Sequence, residues 1–260
     1  MCLLLLVTNI HNPKPIIMRK FKSMLRIVPT VIIAAALFSC GGSSTKKTGD
    51  STAGGTDTSK KASPAAAMVA PFDVVDVVHS VKDYDKWRPV FDADSTNRKA
   101  NGGQDLAVGR NVDSASSILV VVKISDVAKA KAMMADPKLK AAMDKGGVIG
   151  KPDENFYHVI RFGGNPAAKQ FMVINHKVKD FNAWLKVFDG EGPAKRASEG
   201  FADIALCRGI DDTTMVHLAF EVTDMAKAKA AITSADKKKL MESAGVIGKP
   251  DIRFYNNVTK

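Results

Sequence analysis

One stretch occurs twice. Residues 146–153 read Gly-Gly-Val-Ile-Gly-Lys-Pro-Asp, and residues 244–251 read Ala-Gly-Val-Ile-Gly-Lys-Pro-Asp, 98 positions later. A shift of 97 aligns His79 with His176, Val81-Lys82-Asp83 with Val178-Lys179-Asp180, Trp87 with Trp184, and Phe91-Asp92 with Phe188-Asp189. A shift of 98 aligns Arg110 with Arg208, Asp113 with Asp211, Asp126 with Asp224, Ala128-Lys129-Ala130-Lys131 with Ala226-Lys227-Ala228-Lys229, and Phe156-Tyr157 with Phe254-Tyr255. The change of offset predicts one inserted residue between Gly200 and Arg208. Units of this length exceed a solenoid repeat, so each copy must bury a core of its own. They span residues 71–163 and 164–260.

Each copy has the same internal order. Residues 72–81 (FDVVDVVHSV) are β-branched and apolar. Asp83 is placed as an N-cap for a helix whose Tyr84, Trp87, Val90 and Phe91 share one face. Strands are expected at about 104–111 and 117–124 across the turn Asp113-Ser114-Ala115-Ser116. Asp126 caps a second helix running to about Met143, and Asn155–Arg161 supplies the last strand. The order β-α-β-β-α-β folds into a four-stranded antiparallel sheet with both helices on one face, the ferredoxin-like arrangement. In the first strand Val75, Val77, His79 and Val81 take one face, and Val74, Asp76, Val78 and Ser80 the other. Both faces carry apolar side chains, so the helix-free face needs a cover, which the second copy provides sheet to sheet. The fold class expected is α+β, a single-chain pseudo-dimer that is monomeric in solution.

The repeated glycine motif closes a helix. A phosphate-binding loop needs Gly-Lys followed by Ser or Thr and opens one; here proline follows. Gly147 and Gly245 suit the left-handed position after a helix, with Val148 and Val246 making the apolar contact, and Gly150-Lys151-Pro152-Asp153 turns the chain into the last strand.

The formal net charge of +11 suggests nucleic acid until it is located along the chain. Residues 1–39 hold Lys14, Arg19, Lys20, Lys22 and Arg26 and no acid, so without them the balance is +6. No nucleic-acid partner is expected. From Met18, an alternative start, the chain reads MRKFKSMLRIVPTVIIAAALFSC, the plan of a secretory signal occupying residues 1–39. Leu37-Phe38-Ser39-Cys40 resembles the lipobox of bacterial lipoproteins, which implies cleavage before Cys40, lipid on its thiol, a membrane-lipid partner and a cell-envelope address on the periplasmic or surface side. Residues 40–70 (CGGSSTKKTGDSTAGGTDTSKKASPAAAMVA) hold no aromatic residue and form a tether, reaching on the order of 30 Å as a random coil. With Cys2 removed and Cys40 acylated, Cys207 remains the only thiol, a small buried apolar residue without a disulfide partner.

The stretch His-x-Val-x-Asp-aromatic-x-x-Trp-x-x-x-Phe-Asp (79–92 and 176–189), with the element order and the tandem copies, resembles the dimeric α/β-barrel superfamily near its antibiotic-biosynthesis-monooxygenase-like branch. The resemblance covers about residues 72–258. It implies the fold specifically and activity only loosely, since the superfamily holds cofactor-independent oxygenases, haem degraders and isomerases. Haem-degrading members pair a strand asparagine with a helix histidine and a cavity tryptophan; here the histidine is on the strand and the tryptophan on the first helix, so haem cleavage does not carry over.

Six residues are candidates for a ligand pocket. His79 and His176 are either polar groups inside barrel cavities or hydrogen-bonded histidines at the sheet–sheet contact. Trp87 and Trp184 line a pocket between helix and sheet or pack the core. Arg110 and Arg208 clamp a carboxylate at a cavity mouth or pair with Asp92 and Asp189. His158 and His217 stand opposite Asn256 and Leu119, so no histidine pair recurs, and neither a metal site nor a cofactor is expected. The lysine-rich second helices face solvent or anionic headgroups. The expected function is that of a cell-envelope lipoprotein that binds a small apolar ligand or serves a structural role. The alternative is a cofactor-independent monooxygenase- or isomerase-like enzyme acting on a small aromatic or apolar molecule.

Overall fold

The computed structural model describes residues 71–163, 165 and 168–260. The signal, Cys40 and the tether lie outside the described residues. In the first repeat the elements are β1 (Phe72–Val81), α1 (Tyr84–Ala93), α2 (Ser95–Ala100), β2 (Gly103–Asn111), β3 (Ser117–Ile124), α3 (Val127–Met134), α4 (Pro137–Lys145) and β4 (Val148–Phe162). In the second they are β5 (Gln170–Val178), α5 (Phe181–Glu191), α6 (Pro193–Ser198), β6 (Phe201–Gly209), β7 (Met215–Val222), α7 (Met225–Ile232), α8 (Ala235–Ser243) and β8 (Val246–Asn257). The predicted caps form: Asp83 Oδ1 accepts from the amides of Asp85 and Lys86, and Asp126 Oδ1 from that of Lys129, with Asp180 and Asp224 doing the same in the second copy.

Each expected helix is in fact two. The second helix of the first repeat breaks at Ala135-Asp136, because Asp136 caps a new turn and Pro137 occupies its first position. The inserted residue also lies elsewhere. Gly102 and Gly200 are equivalent, both with positive φ and both accepting from the chain after the third strand of their repeat. The offset of 98 therefore already holds there, and α5 is one residue longer than α1, so the insertion sits at the α5–α6 junction.

The glycine motif behaves as expected at its start and differently after it. Gly147 and Gly245 have φ of 78° and 80°, and their carbonyls accept from Lys82 and Lys179 N–H at 2.9 Å. Beyond them, however, the strand begins at once. Val148 pairs with Val81 and Ile149 with Ser80, while Asp153 pairs with Val78, so Gly150-Lys151-Pro152 bulges out of a continuous β4.

Within a repeat the sheet runs β4-β1-β3-β2, mirrored by β8-β5-β7-β6, all antiparallel. The two sheets face each other and are also joined edge to edge. β2 pairs with β8 from Gly109↔Asn257 to Asn111↔Tyr255, and β4 pairs with β6 from Tyr157↔Gly209 to Phe162↔Ala205. The result is a closed eight-stranded barrel, β1-β3-β2-β8-β5-β7-β6-β4, which leaves no free strand edge among the described residues. Alternation then sorts the strand residues. Val75, Val77, Val81, Ile118 and Val120 face outward under Trp87 and Ala130, while Val74, Leu119, Tyr157, Val159, Phe171, Val173 and Tyr255 face the lumen.

A repeated ion pair ties the short helices to the barrel. Arg98 holds Asp105 with two bonds of 2.8 and 2.7 Å and lies over the Phe91 ring at 3.8 Å. Arg196 does the same to Asp203, at 2.6 and 2.7 Å, over Phe188 at 4.0 Å. Planar guanidinium matches carboxylate on its edge and the aromatic ring on its face, which lysine cannot do.

Candidate functional site

His79 and Trp87 meet because a strand residue facing the helices and a residue on the buried stripe of α1 share one layer. Their ring centroids are 5.4 Å apart, and Trp87 stacks on Phe91 at 4.9 Å. The second repeat copies this: His176 lies 5.5 Å from Trp184, which stacks on Phe188 at 5.2 Å. The expectation for the histidines is corrected on both branches. They point into the helix layer rather than the lumen or the sheet–sheet contact. Both are 7% exposed, and none of their ring nitrogens has a hydrogen-bond partner. Burial pulls each pKa down to about 4, so both rings are neutral near pH 7.

The two histidine–tryptophan layers differ in what closes them. In the first repeat a cavity of about 100 Å³ lies above His79, walled by Trp87, Met133, Met134, Leu139 and Met143. In the second, Lys237 replaces Leu139. Its ammonium is bonded to Glu199 at 2.6 Å and to Glu191, which Arg196 also holds at 3.4 Å. This buried ionic cluster narrows the corresponding space, and the cavity above His176 is about 60 Å³.

Arg110 and Arg208 line neither cavity. Arg110 Nε donates to the Ala115 carbonyl at 2.8 Å with its guanidinium 4.5 Å over Tyr84, and Arg208 Nε donates to that of Thr213 at 2.7 Å, 4.6 Å over Phe181. Both therefore pin the turn between the second and third strands to the first helix. The expected partners are taken by others: Asp92 pairs with Arg88 at 2.8 Å and Asp189 with Arg161 at 2.9 Å.

The lumen holds a polar group that repeat matching passed over. Asp76, 4% exposed, points inward from β1, with Oδ2 3.3 Å from His217 Nδ1 on β7. His217 Nδ1 lies 2.8 Å from Asn175 Oδ1 on β5, and the Tyr157 hydroxyl donates to that same oxygen at 3.4 Å. The amide oxygen can only accept, so Nδ1 carries the imidazole proton. Desolvation pushes the Asp76 carboxyl up to about 8 and His217 down to about 4. Both are then neutral at pH 7, and their 3.3 Å contact is not an ion pair, the Nδ1 proton being given to Asn175. Burial, and then the neighbouring Asp76, also raise the pKa of Cys207, which faces His217 across β6 and β7. It is buried, as expected of a thiol with no reactive role.

These residues had a signal in the sequence, but an inverted one: they are the positions where the copies disagree. Asp76 stands opposite Val173, Asn175 opposite Val78, His217 opposite Leu119 and Cys207 opposite Gly109. Among the described residues no three His, Cys, Asp or Glu side chains are placed to hold a metal ion.

No family model matches the chain, and no curated protein matches its sequence. Similar solved structures include an anthrone oxidase-like protein, at 14% identity over 72% of this chain and 92% of that one with a TM-score of 0.53. A heme-binding protein from Thermus thermophilus matches at 9% identity over 74% and 93%, TM-score 0.48. A ferredoxin fold protein related to antibiotic biosynthesis monooxygenases, from Listeria monocytogenes, matches at 10% over 73% and 96%, TM-score 0.43. The likeness to the anthrone oxidase-like protein speaks to fold alone, and the strand order makes that fold the ferredoxin-like α/β barrel.

Proposed function

We propose that this protein is a cell-envelope lipoprotein whose barrel binds a small, largely apolar molecule in the helix–sheet cavity of the first repeat. The observation that carries the reading is His79: a buried imidazole with two unpartnered nitrogens at the floor of the roomier of two equivalent cavities, the other being narrowed by Lys237. An unsatisfied buried polar group costs stability, and a ligand with one polar atom relieves that cost while its apolar body fills the methionine-rich wall. Binding is favoured over catalysis by the same residue. A general base works best with a pKa near the working pH, and at about 4 His79 is a weak one. The alternative, a cofactor-independent monooxygenase acting on a small aromatic substrate, draws on the likeness to the anthrone oxidase-like protein.

The chain holds two tryptophans, one per cavity. Nitromethane, a quencher small enough for the cavity of about 100 Å³, is therefore expected to quench Trp87 saturably in a Trp184→Phe variant. Trp184 in a Trp87→Phe variant should show only linear, collisional quenching. Linear quenching in both variants, or no change when His79→Leu is added to the first, would count against the cavity. Consumption of dissolved oxygen with anthrone would move the reading to the enzyme.

The address rests on residues 18–40, with their basic stretch, apolar run and Cys40. Labelled palmitate should enter the wild type and not Cys40→Ala; equal labelling of the two removes the anchor.

A further inference from the structure

We infer that the barrel lumen is a second, separate binding site, for a small neutral molecule with an apolar body and one carbonyl oxygen, which the Asp76 carboxyl receives. The lumen contains a cavity of about 270 Å³. An enclosed void of roughly 150 Å³ takes up benzene, so this one has room for two fused rings. Its walls are mostly apolar, among them Val74, Val121, Val159, Val173 and Ala219, with the amides of Asn165 and Asn257 also on the lining. Asp76 and His217 supply the polar corner. Asp76 lies four residues along β1 from Phe72, which lines the cavity near the start of the strand, so the corner is about 13 Å along the strand from that position.

Asp76 does nothing visible for the fold. Its Oδ1 is buried without a hydrogen-bond partner, and its counterpart Val173 fills the equivalent place. The counterpart half of the lumen is closed with apolar groups. Phe171 stacks on Tyr255 at 5.3 Å against Gly109, where a Cβ would come within 2.5 Å of Phe171 Cζ. A duplicated barrel therefore tolerates a wholly apolar lumen, and one half departs from it.

The chemistry of the corner selects the ligand. No Lys or Arg lines the cavity among the described residues, which disfavours an anion. A cationic amine would require an ionised Asp76 paired with it at full desolvation of both charges. Asp76 Oδ1 has no partner within the protein, so a neutral carboxyl with its proton there offers a donor suited to a carbonyl oxygen.

Calorimetric titration of the full folded chain with 1-tetralone, tetralin and 1-aminotetralin tests this. Tetralone should bind about tenfold more tightly than tetralin, the worth of one buried hydrogen bond. Asp76→Val, which copies the other repeat, should bring the two to equal affinity, and Asp76→Asn, which keeps a donor, should retain a preference for the ketone. Intermolecular NOEs should reach the methyls of Val121, Val173 and Ala219. Equal affinities in the wild type, an unchanged preference in Asp76→Val, tighter binding of the amine, or absence of saturable binding would each overturn the inference. NOEs to Met133 and Met134 would do so as well, by assigning the ketone to the first-repeat cavity, whose own test is the Trp87 signal.

Discussion

Asp76→Val is expected to stabilise the protein by on the order of 5 kcal/mol above pH 8, with the gain shrinking as the pH falls toward 4. The carboxyl is raised from 3.8 to about 8 by burial alone. Over that window the folded state holds a proton that the unfolded chain has released. The Asp76 contribution to wild-type stability therefore falls as pH rises from about 4 to about 8, by about 1.4 kcal/mol per unit, and stays at the lower level beyond. Valine removes the titration, and its fit is shown by Val173 at the equivalent place. His217 keeps its bond to Asn175. Denaturant unfolding at pH 5 and pH 9 measures both numbers. A gain of the same size at the two pH values would mean that Asp76 titrates normally, and a loss would mean that its carboxyl supports the fold. A residue that lowers stability by this much while its duplicate has dispensed with it is retained for something other than folding, which is the thermodynamic face of the lumen site.

Period and punctuation in the sequence carried the architecture. The β-α-β-β-α-β order, the strand bounds near 117–124, the aspartate caps and the left-handed Gly147 and Gly245 all follow from local rules, and all are present. What local rules could not give was the side on which each strand face would lie. FDVVDVVHSV alternates with apolar residues on both faces, so period two identifies two faces without saying which one meets the helices. The histidines were assigned to the wrong layer for that reason. The breaks after α1 and α3 were hidden because Asp94 and Asp136 sit inside stretches that otherwise read as continuous helix, and Arg98–Asp105 because its partners belong to different elements. The lumen corner was missed on different grounds. Matching two copies rewards sameness, and the folding determinants are the same. Asp76, Asn175, His217 and Cys207 stand where the copies diverge, and so does Leu139 against Lys237, which sets how much room each outer cavity has.

Acid should unfold this barrel earlier than its carboxylates alone would. His79, His176 and His217 are each lowered from 6.5 to about 4 by burial. Such a group binds its proton more readily in the unfolded chain, so stability is lost as pH falls from 6.5 to about 4, and no further below. Asp76 acts in the opposite sense across the same interval, since the folded state already holds its proton. Three protons against one leave a net uptake of two on unfolding, so several kcal/mol are lost across the window. That is comparable with the whole stability of an ordinary domain, and it places the stability maximum near pH 6.5. The carboxylates of Asp92, Asp189, Glu199 and Asp224, whose pKa values are lowered in the folded state by ion pairs and amide bonds, add their losses only below their ordinary range. The double variant His79→Leu/His176→Leu removes two of the three protons. Its stability should then be nearly flat between pH 6.5 and 4, with His217 and Asp76 cancelling, where the wild type falls steeply. A wild-type profile already flat over that interval would show the two outer histidines to be protonated as easily in the folded state as in the unfolded one, which apolar walls around unpartnered rings do not allow.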